Sequence, residues 1–305
     1  MSMNNFFDKG EARLEQDRSK NTDGRYIEII RLLPFEFEVQ TNSPDVFDLL
    51  ALVNPRAEQI FEIRQRYSAS VILDDDEFYT TCPAFGDEFE LNATSAVDTL
   101  YRNMRRCAIS EMIEHAALKA VVGGYAGHHF LIVGPKGSGK STLALSLLMD
   151  DFDLNGDELA FFHDGSAIAF PRRFLAREES LYLLPNLRAF EWLSNSLDNP
   201  QHDRVVPLDP SMFGKPWKIA YAPISKIFYL EPNHGAQTKV IPCSKIEMAR
   251  RALPCCVHPV ASARSTIAEL STLLEEAETF VIEFGEIQSA VNGIKATLRA
   301  EAKLE

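Results

Sequence analysis

Residues 130–148 read FLIVGPKGSGKSTLALSLL. Phe130 to Val133 is a short apolar run ending at Gly134, the pattern of a buried strand. GPKGSGKS follows, with Gly134, Gly139, Lys140 and Ser141 in the G-x-x-x-x-G-K-[ST] register. From Thr142 to Leu148 the chain holds helix formers and no breaker. Strand, glycine-rich loop and helix in that order predict a phosphate-binding loop. Glycines let the backbone come close to phosphate oxygens and turn successive N–H groups inward. The helix N-terminus adds partial positive charge. Lys140 supplies a cation for the outer phosphates, and the Ser141 hydroxyl can ligate Mg²⁺. The residues expected to cradle a nucleoside triphosphate are Gly134, Pro135, Lys136, Gly137, Ser138, Gly139, Lys140, Ser141 and Thr142.

Composition narrows the class. The chain has 305 residues, enough for one or two domains, and is 46% hydrophobic, too apolar for a disordered protein. Its formal charge of −13 argues against nucleic acid or an anionic membrane as the main partner. The five cysteines include no C-x-x-C pair, which fits a reducing, cytoplasmic setting better than a secreted one. CCVH, from Cys255 to His258, is half a metal site or two small apolar residues beside a histidine; without a second cluster the latter is expected. The N-terminus lacks the apolar core of a signal peptide, and no run approaches a membrane span.

Outward from the loop, the N-terminal side reads as follows. Residues 1–24 are polar and predict an arm. Two strand-like runs flank Pro34, and Phe35, Phe37 and Val39 alternate with Glu36, Glu38 and Gln40. Residues 44–53 predict a short helix. Residues 70–73 predict a strand followed by the acidic run Asp74 to Glu77, expected to be a solvated turn rather than a calcium loop. Val97, Leu100, Tyr101, Met104, Ala108 and Met112 recur at helical spacing and predict an amphipathic helix over about 95–113. Its Arg102, Arg105 and Arg106 are expected to be a solvated face. Residues 25–107 thus predict a small α+β section. HAALKAVV, residues 115–122, predicts one strand, turned by Gly123 to Gly127 into the strand before the loop. The loop strand is therefore the second arm of a hairpin, unlike the usual doubly wound build.

On the C-terminal side, Asp157 and Glu158 enter the apolar run 159–162, and Gly165 predicts a hairpin back through 168–170 to Pro171, Arg172 and Arg173. Charges at the start of a buried strand are costly unless solvated, paired or bound to metal. After a phosphate loop, metal is the favoured reading, with Ser141, Asp157 and Glu158 as ligands. Residues 179–216 predict a loop-rich cover. Strands at 226–230 and 279–284 and helices at 244–253, around Ile267 to Ala277, and from Ile287 to Leu298 complete the chain.

Four pieces together resemble the HPr kinase/phosphorylase-like family, which shares a core with phosphoenolpyruvate carboxykinase: HAALK before a hairpin, GPKGSGKSTLALSLL, GDELAFF and FPRRF. The resemblance covers about residues 108–300. It implies an α/β fold, a phosphoenolpyruvate carboxykinase-like P-loop kinase core with a mixed sheet over 108–305, preceded by the small α+β section. It implies ATP and Mg²⁺ as ligands, Lys140 and Ser141 on phosphate and metal, His115 near the reacting phosphate, and Asp157 as the second of the family's paired aspartates. Gly156 stands where the first would be. From the residues alone, the alternative for His115 is a hydrogen-bonded core histidine.

The expected function is an ATP-dependent kinase that transfers the γ-phosphoryl group to a hydroxyl on a peptide or small protein, with Asp157, His115 and Lys140 as its reactive residues. A kinase of a small metabolite, such as a sugar or nucleoside, and a non-catalytic nucleotide-binding scaffold are the alternatives. The absence of an LSGGQ-like signature argues against an ATP-binding-cassette ATPase. Homo-oligomerisation is compatible with the sequence but not specified by it.

Overall fold

The computed structural model describes residues 24–60, 62–83, 85–112, 115–184, 187, 205–233, 235–257 and 263–300. The expected polar arm (save Gly24), most of the expected cover over 185–204, and His258 lie outside the described residues. Two compact units divide the chain, residues 24–54 with 63–108 and residues 55–62 with 109–300.

In the first unit, β1 (Tyr26–Leu32), β2 (Phe35–Thr41), β3 (Gln65–Asp74), β4 (Glu77–Cys82) and β5 (Gly86–Glu90) form one sheet in that order. Only β2 and β3 are parallel, and that crossover carries α1 (Pro44–Val53). Ser43 caps α1 by accepting from Val46 N, with Pro44 at its first turn. Phe35, Phe37 and Val39 are buried, as their alternation requires. The acidic run is a hairpin turn: Asp75 and Asp76 have φ of 46° and 65°, a region that short polar side chains tolerate. α2 (Ala93–Glu111) buries Val97, Leu100, Tyr101, Met104 and Ala108. Arg102 donates to Thr99, and Arg106 lies 4.5 Å from the Phe85 ring centroid, so neither waits for an anion.

The second unit is built on two sheets. Its strands are β6 (Ala116–Leu118), β7 (Ala120–Tyr125), β8 (His128–Val133), β9 (Asp153–Gly156), β10 (Ala160–His163), β11 (Ser166–Ala169), β12 (Phe174–Arg177), β13 (Val205–Leu208), β14 (Lys226–Pro232), β15 (Lys239–Pro242) and β16 (Glu278–Phe284). Its helices are α3 (Lys140–Met149), α4 (Glu178–Leu183), α5 (Lys245–Ala252), α6 (Ala263–Glu276) and α7 (Ile287–Arg299). The main sheet runs β9-β7-β8-β14-β16-β15, with β8, β14 and β16 parallel and the outer pairs antiparallel. A smaller antiparallel sheet holds β11, β10 and β6, flanked by two-residue strands at Ala222–Pro223 and Cys256–Val257.

Alternation along β7 and β8 explains the layering. Val121, Phe130 and Ile132 face α3 and α7, whereas Ala120, Val122, Leu131 and Val133 face the smaller sheet, α5 and α6. Both faces are apolar because both are covered. Phe130 meets Phe152 and Phe228 edge-on at 5.8 and 6.1 Å, a contact type that adds about 0.5–1.5 kcal/mol beyond burial.

Three expectations need correction. The run 115–122 is two strands, because the chain passes from the smaller sheet to the main one at Lys119. The hairpin turn is Ala126 and Gly127 alone, with φ of 51° and 82°; Gly123 and Gly124 are strand residues, and an added Cβ at Gly123 would meet Leu154 at 2.6 Å. Asp157 and Glu158 do not enter a strand. They form the bend between β9 and β10, where the chain again changes sheets after a register shift.

Candidate functional site

The strand order places the site. α3 follows β8 on one face, while α5, reached from β14 through the edge strand β15, packs on the other. The carboxyl ends of these adjacent parallel strands therefore open a crevice, the place where open α/β sheets bind ligands. The segment 134–141 lies at its mouth.

Its geometry follows from its glycines. Gly137 and Gly139 have φ of 84° and 92°, which side chains other than glycine rarely adopt. Gly139 is the N-cap of α3, and a Cβ there would meet the Phe284 ring at 2.7 Å. Pro135, Lys136 and Gly137 are exposed, while Ser138 is buried and its hydroxyl has no hydrogen-bond partner. The Lys140 ammonium arches back over the loop to the carbonyls of Gly134 and Pro135, at 2.6 and 2.8 Å. Burial lowers its pKa; the thiol of Cys255 and the carboxylate of Asp157 act against that shift, while Lys119 adds to it. Thr142 turns away from the loop, its hydroxyl 3.1 Å from that of Ser180.

Asp157 reaches the same place from the β9–β10 bend, near enough to Ser141 for the hydroxyl to favour its ionised form. Burial raises its pKa to about 6, against the pull of Arg172 and of the Ser141 hydroxyl. The Glu158 carboxylate pairs with Arg172 at 2.6 Å. Arg173 pairs with Asp209 at 3.3 Å. A side chain at position 156 has no room, since a Cβ there would lie 2.9 Å from that of Ala169. The missing first aspartate thus coincides with a closed position, and one carboxylate meets the loop serine.

The residues fit a magnesium nucleotide. The positive-φ loop, the helix N-terminus and Lys140 suit phosphate oxygens, and Ser141 with Asp157 supplies the hydroxyl and carboxylate that a loop-bound Mg²⁺ takes alongside phosphate and water. Among the described residues, no group of three or more His, Cys, Asp or Glu is arranged to hold a metal alone.

His115 is not brought to the loop by its strand. It precedes β6, whereas the loop end of that segment is Lys119, four residues or about 13 Å of extended chain away. Its Nε2 lies 2.6 Å from the Tyr221 hydroxyl, and its ring stacks on Tyr221 and meets Phe161 and His163 edge-on. The ring itself is buried, between the core residue Phe161 and the exposed side chains of Tyr221 and His163.

Two residues at the loop were missed from sequence. Burial raises the Cys255 thiol pKa, against the pull of Lys140 and of the Gly134 N–H, which sets the thiol beside the first residue of the loop. Lys119 precedes Ala120, whose cross-strand partner is Val133, so it stands beside Gly134. Around them, Arg251 covers the Tyr229 ring at 5.3 Å and pairs with Glu231 and Glu247 at 2.9 and 3.0 Å. The described cysteines are all free.

No protein-family model and no curated protein matches this sequence.

Proposed function

We propose that the second unit binds Mg·ATP at the segment 134–141 and transfers its γ-phosphoryl group to a hydroxyl of a peptide, small protein or small molecule. The observation that carries this reading is the meeting of Ser141 with Asp157 at the start of the helix that follows the glycine loop. Loop amides and Lys140 hold phosphate, with the lysine exchanging the carbonyls of Gly134 and Pro135 for phosphate oxygens. Mg²⁺, when bound, offsets the charge of the outer phosphates. Asp157, with a pKa near 6, is tuned to hold metal at neutral pH and to take the acceptor's proton. Arg172 holds Glu158 and adds positive charge beside Asp157.

The mixed main sheet, with a hairpin delivering the loop strand, supports the likeness to the HPr kinase/phosphorylase and phosphoenolpyruvate carboxykinase core. No described helix is long and apolar enough to cross a membrane. A cytoplasmic setting is in keeping with the free cysteines.

One observation favours a second reading, a nucleotide-binding scaffold without transfer: the closure of position 156 leaves a single carboxylate to serve both metal and proton. Incubation with labelled ATP, Mg²⁺ and candidate acceptors, followed by mass spectrometry of the products, separates the two. Transfer that is lost in Lys140→Ala supports the kinase. Nucleotide binding with no labelled product from any acceptor supports the scaffold.

A further inference from the structure

We propose that Lys119 is a second phosphate-binding cation of this site, facing the terminal phosphoryl group of the bound triphosphate. This rests on the nucleotide reading above and extends it to a residue outside the loop motif.

The register fixes where Lys119 stands. β7 and β8 pair Ala120 with Val133, which sets Lys119 beside Gly134, the first residue of the loop. β9 lies on the other side of β7 and ends at Gly156, just before Asp157. At this end of the sheet Lys119 therefore stands between the loop and Asp157. A phosphoryl group that travels from the loop toward a hydroxyl near Asp157 passes in front of it.

The side chain is free to act there. Ala116, Leu118, Ala120 and Val122 all face the core between the sheets, and Lys119 stands at the crossing between β6 and β7. Lys119 is exposed although every residue from 115 to 122 except it is buried. Its ammonium makes no ion pair with any described residue. Its backbone is pinned, because its N–H donates to the Cys255 carbonyl at 3.0 Å.

The electrostatics agree. Lys119 is close enough to Lys140 to help lower its pKa, so two cations repel at the loop when it carries no anion. A bound polyphosphate relieves that repulsion, and most strongly at the phosphate that carries the most charge. Lys140 on the helix side and Lys119 on the strand side would grip a triphosphate from both flanks.

The test compares binding of Mg·ATP and Mg·ADP to the full chain by calorimetry, for wild type, Lys119→Ala, Lys119→Gln and Lys119→Arg. Both neutral variants are expected to weaken ATP about tenfold and ADP less than twofold, and the arginine variant to recover most of the loss. An equal loss for both nucleotides, or no loss, overturns the assignment of Lys119 while leaving the nucleotide site standing. Wild-type protein that binds neither nucleotide overturns both. Melting curves of the variants distinguish unfolding from lost contact, and Lys119→Arg keeps the charge if the neutral variants prove unstable.

Discussion

The Ser141 hydroxyl stands close enough to Asp157 to help keep its carboxyl ionised, which brings the start of α3 to the bend between β9 and β10. The two residues are sixteen apart in sequence and on different faces of the chain's path, and they meet because β9 returns beside β7 immediately after the helix. If Ser141 and Asp157 share a metal, they are expected to fail together.

Asp157→Asn is expected to eliminate phosphoryl transfer, whereas Glu158→Gln is expected to retain at least a tenth of it, a barrier change below roughly 1.4 kcal/mol. Glu158 pairs with Arg172, so its loss removes a partner of that guanidinium rather than the carboxylate beside Ser141. Transfer assays on both variants, with nucleotide binding measured in parallel, check this. Complete loss in Glu158→Gln alone would assign the reactive carboxylate to the wrong residue.

Asp157 also sets a pH signature on stability. An acid whose pKa is raised on folding destabilises the folded chain wherever it is ionised. The penalty is absent below 3.8, grows as pH rises toward about 6 and is full above it. In the nucleotide-free protein, Asp157→Asn is therefore expected to raise stability at pH 7.5, by at most about 3 kcal/mol, and to change it little at pH 4. Denaturant titrations at the two pH values read the difference. A variant less stable than wild type at pH 7.5 would contradict it.

His115→Ala is expected to act on stability more than on chemistry. Removing the ring deletes the contact with the Tyr221 hydroxyl and leaves a gap beside Phe161 and His163, at a cost of about 1–3 kcal/mol. Nucleotide affinity is expected to stay within twofold and any transfer rate within tenfold. A rate loss of a hundredfold with an unchanged melting temperature would restore the role that the family resemblance implied.

The site was legible in part, and the reasons are local. The motif and its flanks carried the loop, because only glycine at 137 and 139 gives the needed backbone and the strand and helix signals are strong on either side. The position of His115 was not legible, because HAALKAVV reads as one continuous strand and nothing in its composition marks the change of sheet at Lys119. Lys119 itself was within reach. A hairpin turned at Ala126 and Gly127 pairs Ala120 with Val133 and so sets the one charged residue of that run beside Gly134. Spreading the turn over Gly123 to Gly127 hid this, since glycine marks turns more often than the strand interior where Gly123 makes room for Leu154. Cys255 lies more than a hundred residues from the loop, and no local pattern could have joined it to Gly134.

Gly156→Asp is expected to destabilise the protein rather than restore a second carboxylate, because Ala169 and the Phe170 carbonyl occupy the space. A lowered melting temperature with no gain in transfer is the expected pair of results. Faster phosphoryl transfer with an unchanged melting temperature would show that the bend can open.

Titration of Mg·ATP into the wild-type chain and into Lys140→Ala bears most directly on the central claim. One nucleotide bound per chain, dependent on Mg²⁺ and weakened at least tenfold in the variant, is the predicted result, since the ammonium that now rests on Gly134 and Pro135 would move to phosphate. Absence of binding to the wild type, or equal affinity in both proteins, would contradict the account.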